Sequence, residues 1–103
     1  MLTSKQRAQL RSMAASLDTI LQIGKGGVTD SVIEQAADAL RARELIKGRV
    51  LEASLLTARE ACDALCGACR AEGVQVIGNV FVLYKRNEKD PKIELVSARK
   101  KRP

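Results

Sequence analysis

Residues 24–27, the run GKGG, place three glycines and a lysine between an apolar segment and a strong helix-start signal. The apolar segment, residues 19–23 (TILQI), is typical of a short buried strand, and Thr29 followed by Asp30 is typical of a helix N-terminus. A strand that enters a helix through glycines brings unpaired N–H groups and the positive end of the helix dipole to one point. Glycine also lets an anion approach the backbone closely, so this run, called the glycine loop below, favours a bound phosphate.

Three kinds of phosphate loop compete at this position. A nucleotide triphosphate loop needs G-x-x-x-x-G-K-[ST], whereas Lys25 is followed directly by Gly26. A dinucleotide loop needs G-x-G-x-x-G, and Thr29 occupies the place of the third glycine. The spacing of Gly24 and Gly27 does match G-x-x-G, the loop with which KH-type domains clamp a nucleic-acid backbone. Because the same spacing occurs in ordinary turns, it leaves both interpretations open by itself.

The rest of the chain alternates helical and strand-like patterns. Capping boxes at residues 3–6 (TSKQ) and 57–60 (TARE) predict helix starts. Gly73 is the expected residue after the end of the third helix, and Gly78 predicts a bend in a long strand. The expected elements are helices over residues 4–16, 30–43 and 57–72, strands over 19–23, 45–51, 74–86 and 92–96, and a turn over 87–91. This order, α-β-α-β-α-β-β, predicts one small α/β domain with a four-stranded mixed sheet. We expect parallel pairs where a helix joins two strands, and an antiparallel hairpin for the last two.

The charge distribution favours a polyanionic partner. The net charge is +6, and the basic side chains concentrate near the two ends of the chain. The C-terminal run RKKRP lacks the bulky apolar residues of a membrane-binding helix, and a solubility tail stays open as its explanation. Aromatic residues make up 2% of the chain, so recognition of a nucleic-acid backbone and its shape is expected rather than stacking on an aromatic platform.

The apolar segments indicate a cytoplasmic protein without a membrane partner. The longest uncharged apolar run, residues 74–84, is too short to span a bilayer, and the N-terminal residues have no signal-peptide core.

Residue types that commonly carry catalysis or metal binding are scarce. The chain has no histidine, which removes the usual general base and the commonest metal ligand. Cys62, Cys66 and Cys69 have the C-x3-C-x2-C spacing of radical SAM iron–sulfur enzymes, but they fall within a helical pattern, where such spacings share one face. No fourth cysteine or histidine is available, so we interpret the three as small core residues. We therefore expect no catalytic residue, metal, cofactor or small-molecule substrate.

Four segments give the chain a resemblance to a known family: KQRAQLRSMAASL, LQIGKGGVTDSVIEQAADAL, ELIKGRVL and VIGNVFVLYKR. Across residues 3–86 it resembles the single-domain bacterial CRM proteins, the YhbY-like RNA-binding proteins. The resemblance implies a fold similar to the C-terminal domain of bacterial translation initiation factor three, and RNA binding through the G-x-x-G loop. It also implies association with precursors of the large ribosomal subunit during assembly. The sequence departs from the family pattern at Gly48, where a β-branched residue is usual, and at residues 16–18 (SLD), where a histidine–proline pair is frequent.

The loop and the resemblance together give a set of expectations. We expect a CRM-type RNA-binding domain over residues 1–97, a basic tail over residues 98–103, and a monomer that assists ribosome assembly. The expected RNA contacts, which would line one basic track, are Gly24, Lys25, Gly26, Gly27, Arg41, Arg43, Lys47 and Arg49. Two alternatives stay open: a protein-interaction module of a ribonucleoprotein with no direct RNA grip, and a small-molecule enzyme that would use Asp30 and Glu34.

Overall fold

The computed structural model describes residues 2–96, so Met1, the predicted tail and the end of the predicted domain lie outside the described part of the chain. The elements are α1 (Ser4–Ala14), β1 (Leu21–Ile23), α2 (Asp30–Arg43), β2 (Leu45–Val50), α3 (Ala58–Cys69), β3 (Glu72–Ile77) and β4 (Val80–Tyr84). This order confirms the predicted α-β-α-β-α-β-β arrangement and its small α/β class.

The four strands form one mixed sheet in the order β1-β2-β4-β3. β1 and β2 pair in parallel, whereas β4 pairs antiparallel with both β2 and β3. The predicted parallel pairing of helix-connected strands therefore holds for β1 and β2 only. β3 runs in the same direction as β2, but β4 lies between them, because the tight turn after β3 returns the chain into that gap.

Helices cover both faces of the sheet. α2 and α3 pack on one face, where their apolar residues meet Ile46, Phe81 and Leu83 in the larger core cluster. α1 packs on the other face, where Leu10 and Ala14 belong to a smaller cluster with Val82 and other strand residues. The buried face of α3 consists of Ala58, Ala61, Cys62, Leu65 and Cys69.

Local capping sets the helix starts. Thr3 and Thr57 both form complete capping boxes, and the Thr29 hydroxyl accepts from the N–H of Val32, so all three predicted starts are confirmed to within one residue.

The predicted end of the third helix is wrong. α3 stops at Cys69 because Arg70 adopts a left-handed backbone with φ 58°, and Gly73 lies inside β3. Gly73 instead provides close packing, since a Cβ there would stand 3.2 Å from the sulfur of Cys62. α1 and β1 are each two residues shorter than predicted, at the end of the helix and at the start of the strand.

The predicted last hairpin is also wrong. The long strand over residues 74–86 divides at Gly78, whose φ of 58° makes the turn between β3 and β4. Residues 92–96 are not a strand, because side chains take the backbone N–H groups that a sheet partner would need. The N–H of Ile93 donates to Glu44 at 2.7 Å, and the N–H of Val96 donates to Gln9 at 2.7 Å.

Glu44 organises this C-terminal segment and was not identified from the sequence. Its fully buried carboxylate accepts from the N–H groups of Asn87, Lys92 and Ile93, at 2.6, 2.8 and 2.7 Å. Burial alone would raise the pKa of Glu44, but the three backbone hydrogen bonds and the charge of Arg86 lower it below its usual value. Glu44 therefore ties the end of α2 to a segment more than 40 residues further along the chain.

Gly48, the departure from the family pattern, has a packing explanation. The ring of Phe81 lies over the Gly48 backbone, and a Cβ there would stand 2.4 Å from Phe81 Cζ. The two residues face each other across β2 and β4, and Gly48 also pairs with Leu21 in β1. The strand thus keeps both partners, and the phenylalanine ring fills the volume that a β-branched side chain would otherwise occupy.

Candidate nucleic-acid interface

The glycine loop follows β1 as a tight, exposed turn. The N–H of Gly27 donates to the carbonyl of Gly24 at 3.0 Å, and Lys25 and Gly26 between them are exposed. Gly27 has a φ of 74°, in the left-handed region, so the turn itself requires glycine at this position.

The other two glycines have no such internal reason. A Cβ on Gly24 would stand 3.9 Å from Leu51 Cδ1, and a Cβ on Gly26 would stand 3.5 Å from Thr29 Cγ2. Both are ordinary van der Waals distances, and neither residue has a positive φ. The fold would therefore accept side chains at Gly24 and Gly26.

The N-terminus of α2 is only partly capped by the protein itself. The Thr29 hydroxyl accepts from the N–H of Val32 at 3.3 Å, which uses one of the free amides of the first turn. Asp30 and Ser31 are exposed, and within residues 2–96 neither backbone N–H has a hydrogen-bond acceptor. Two amides at the positive end of the helix dipole thus face solvent beside the glycine loop. The Asp30 carboxylate stabilises this helix end but would repel an anion, whereas the Lys25 ammonium would attract one.

Arg49 lies on the strand beside the loop. It pairs in register with Gln22, two residues before Gly24, and its side chain is exposed. The N–H of Leu51 donates to the carbonyl of Ile23 at 2.8 Å, so the end of β2 stays against the start of the glycine loop. Lys25 and Arg49 are therefore the two predicted basic contacts that the fold brings to this end of the sheet.

Lys47 has a structural partner that the sequence did not reveal. Its ammonium donates to the carbonyls of Ala14 and Leu17, at 3.2 and 3.4 Å. These carbonyls lie at and just beyond the C-terminal end of α1, where a cation complements the helix dipole. Lys47 thus fixes α1 on the sheet, and its predicted contact with RNA would compete with this interaction.

Arg41 and Arg43 lie at the opposite end of α2 from the glycine loop. At about 1.5 Å per residue, a helix of 14 residues separates its two ends by about 20 Å. Arg41 also forms an ion pair with Asp38, and its carbonyl accepts from the side chain of Asn87. The predicted contacts consequently divide into a group at the loop, a pair at the far end of α2, and Lys47 at the end of α1, and they do not form one continuous track.

Cys62 and Cys69 occupy the core positions predicted for them, and Cys66 packs at the edge of the core. Cys62 and Cys69 are buried, Cys66 is partly exposed, and all three are free thiols. Burial raises the pKa of the Cys69 thiol, so it is neutral near pH 7. Across residues 2–96, no set of three or more cysteine, aspartate or glutamate side chains is arranged to hold a metal ion. In the same part of the chain, no helix is both long and apolar enough to cross a bilayer.

Comparison with known proteins identifies the family of this chain. The CRS1 / YhbY (CRM) domain model matches residues 2–85. Bacillus subtilis YqeI, named a probable RNA-binding protein, is 48% identical over 95 residues, which cover 92% of this chain and 99% of YqeI. An RNA-binding protein of Haemophilus influenzae is 34% identical over 91% of this chain and 94% of its own length.

A solved structure shows the same fold. The solution structure of a Staphylococcus aureus protein, described as a candidate RNA-binding protein, superposes with a TM-score of 0.78 at 45% sequence identity. The match covers 93% of this chain and 100% of that one. On the matched domain, the identities and the shared fold, this chain belongs to the CRS1 / YhbY (CRM) domain family.

Proposed function

We propose that this protein binds RNA without catalysing a reaction, and that the glycine loop holds the sugar–phosphate backbone. The observation that carries the proposal is the pair Gly24 and Gly26, which the fold does not require to be glycine. Beside them lie the open amides of Asp30 and Ser31 and the charge of Lys25. Exposed backbone amides and a nearby cation can bind a phosphate group. Since every nucleotide carries the same phosphate, this contact does not depend on the base.

The names of the relatives support RNA as the partner. The Bacillus, Haemophilus and Staphylococcus proteins are all named or described in terms of RNA binding. The resemblance to the YhbY-like proteins adds a finer proposal: the RNA is ribosomal RNA in precursors of the large subunit, and the bound protein, a cytoplasmic monomer, assists assembly.

A charge-reversing variant tests the loop. Lys25→Asp with Gly26→Asp places two carboxylates where a phosphate would lie, and we expect loss of measurable RNA binding with an unchanged circular dichroism spectrum. The matched control is Lys5→Asp with Gly67→Asp. It replaces the same two residue types and changes the net charge by the same amount, at exposed helix positions away from the loop. Equal loss of affinity in both variants would show a nonspecific charge effect and contradict the loop assignment.

Sedimentation tests the finer proposal. In a sucrose gradient of a cell lysate, we expect the protein with large-subunit precursors, and we expect the loop variant at the top of the gradient. If the unaltered protein and the loop variant migrate together in one fraction even after nuclease treatment, a protein-interaction module would be favoured instead.

A further inference from the structure

A second exposed surface adjoins the glycine loop on the face of the sheet that α1 covers. Gln22, Arg49, Val80 and Ile77 stand side by side on the four strands, each paired in register with the next. Residues paired in this way point to the same face of a sheet. We call these four residues the open row. Gln22 and Arg49 are exposed, Val80 is half-buried, and Ile77 is 62% exposed.

The row is open because α1 ends before it. One step further in on the same face, Val82 is 1% exposed in the cluster that contains Leu10 and Ala14. Lys47, which pairs with Val82, holds the carbonyls at the end of α1. The helix therefore covers the sheet up to the row of Lys47 and Val82 and leaves the next row uncovered.

The open row is continuous with the glycine loop. Gln22 lies two residues before Gly24, and the turn between β3 and β4 is at the same end of the sheet, since the N–H of Val50 donates to the carbonyl of Asn79 at 2.7 Å. With neighbouring strands about 4.8 Å apart, the row extends about 14 Å away from the loop.

The chemistry of the row is mixed but contains no acid. It offers one guanidinium, one amide and two aliphatic side chains. Within residues 2–96, Arg49 has no ion-pair or hydrogen-bond partner for its guanidinium. A free guanidinium beside exposed aliphatic groups suits a ligand in which negatively charged groups alternate with flat ring faces.

We propose that an unpaired RNA strand continues from the glycine loop across the open row. In this arrangement Arg49 contacts a phosphate, the Gln22 amide contacts a base edge, and Ile77 and Val80 lie under the face of an unstacked base. The inference rests on the RNA binding proposed above and adds a preference for single strands. A duplex hides its base faces in the stack and presents its backbone and groove edges, so Ile77 and Val80 would have no base face to contact.

The test measures Ile77→Ser by fluorescence anisotropy with two probes: a short unstructured RNA, and the same strand annealed to its complement. Each methylene group that binding removes from water is worth about fourfold in affinity. We expect Ile77→Ser to weaken single-strand binding by about fivefold or more, Ile77→Val to lose less, and duplex binding to stay unchanged. Val96→Ser is the control, because Val96 is 42% exposed and its backbone is hydrogen-bonded to Gln6 and Gln9 in the first half of α1, away from the open row.

Four outcomes would separate this inference from the proposed function. If the loop variant loses RNA binding while Ile77→Ser and Arg49→Ala keep full affinity, the open row is overturned and the loop stands. If Ile77→Ser weakens single-strand and duplex binding equally, the single-strand preference is overturned. If the protein co-purifies with a protein partner after nuclease treatment, and Ile77→Ser abolishes that complex but leaves RNA affinity unchanged, the row is a protein interface and the inference is overturned. If the unaltered protein binds neither probe, both proposals are overturned.

Discussion

Single alanine substitutions in the glycine loop should separate binding from stability. Gly26→Ala adds a Cβ at 3.5 Å from Thr29 Cγ2, a distance that needs no adjustment, and Gly26 has no positive φ. Replacing such a glycine by alanine reduces the freedom of the unfolded chain, so we expect stability to stay constant or rise by about 0.4–1 kcal/mol. The new methyl group would hold a phosphate away from the loop amides. Loss of one charged hydrogen bond costs about 1.5–3 kcal/mol, or roughly a 10- to 150-fold weaker affinity.

Gly27→Ala should behave in the opposite way. Gly27 has a φ of 74°, and a left-handed backbone costs a residue with a side chain about 1–2 kcal/mol. Urea unfolding followed by circular dichroism measures stability for both variants, and fluorescence anisotropy with a single-stranded RNA measures affinity. Gly26→Ala with unchanged affinity, or with a stability loss as large as that of Gly27→Ala, would refute the argument that the second and third loop glycines have different functions.

Three further predictions concern the stability of the fold and the extent of the RNA-binding surface. Glu44→Gln leaves an amide facing a backbone N–H and should cost about 1–3 kcal/mol in urea unfolding. Because the folded-state pKa of Glu44 is lowered, its contribution to stability is complete above its usual pKa of 4.5 and is lost as the pH falls toward the folded-state pKa. The stability of Glu44→Gln should therefore depend less on pH in this acid range than that of the unaltered protein. Gly48→Ala should destabilise by about 1–3 kcal/mol because its Cβ would overlap the ring of Phe81, and Phe81→Leu should recover part of that loss in a double-mutant cycle. Arg49→Ala should weaken RNA binding and reduce the salt slope by about 0.7, whereas Arg41→Ala, some 20 Å from the loop, should change both less.

Sequence reasoning succeeded where the determining contacts are local. The capping residues Thr3, Thr29 and Thr57 bond to amides three residues away, so each helix start could be read from its own few residues. The helical spacing of the cysteines likewise predicted that Cys62 and Cys69 are buried on one face of α3, because helical periodicity needs no knowledge of the partner.

It failed where a distant side chain decides the local structure. Residues 92–96 have a strand-like composition, but Glu44 and Gln9 take their amides across separations of 48 residues or more. Arg70 ends α3 in a conformation that usually favours glycine, which no local rule indicated.

The candidate site divides in the same way. The loop and its glycines were predicted from a contiguous motif, but the position of Arg41 relative to Lys25 depends on the length and direction of α2. The contact between Lys47 and the end of α1 required two elements 30 residues apart. The open row was missed because a sequence shows strand faces but not where a covering helix ends.

An NMR titration with RNA shows directly whether the amides of the glycine loop are the contact. With isotope-labelled protein and increasing single-stranded RNA, we expect the largest amide shifts at Lys25, Gly26, Asp30 and Ser31, and their loss at high salt. Undisturbed loop amides, with the shifts confined to α3 or to the far end of α2, would overturn RNA binding at the loop.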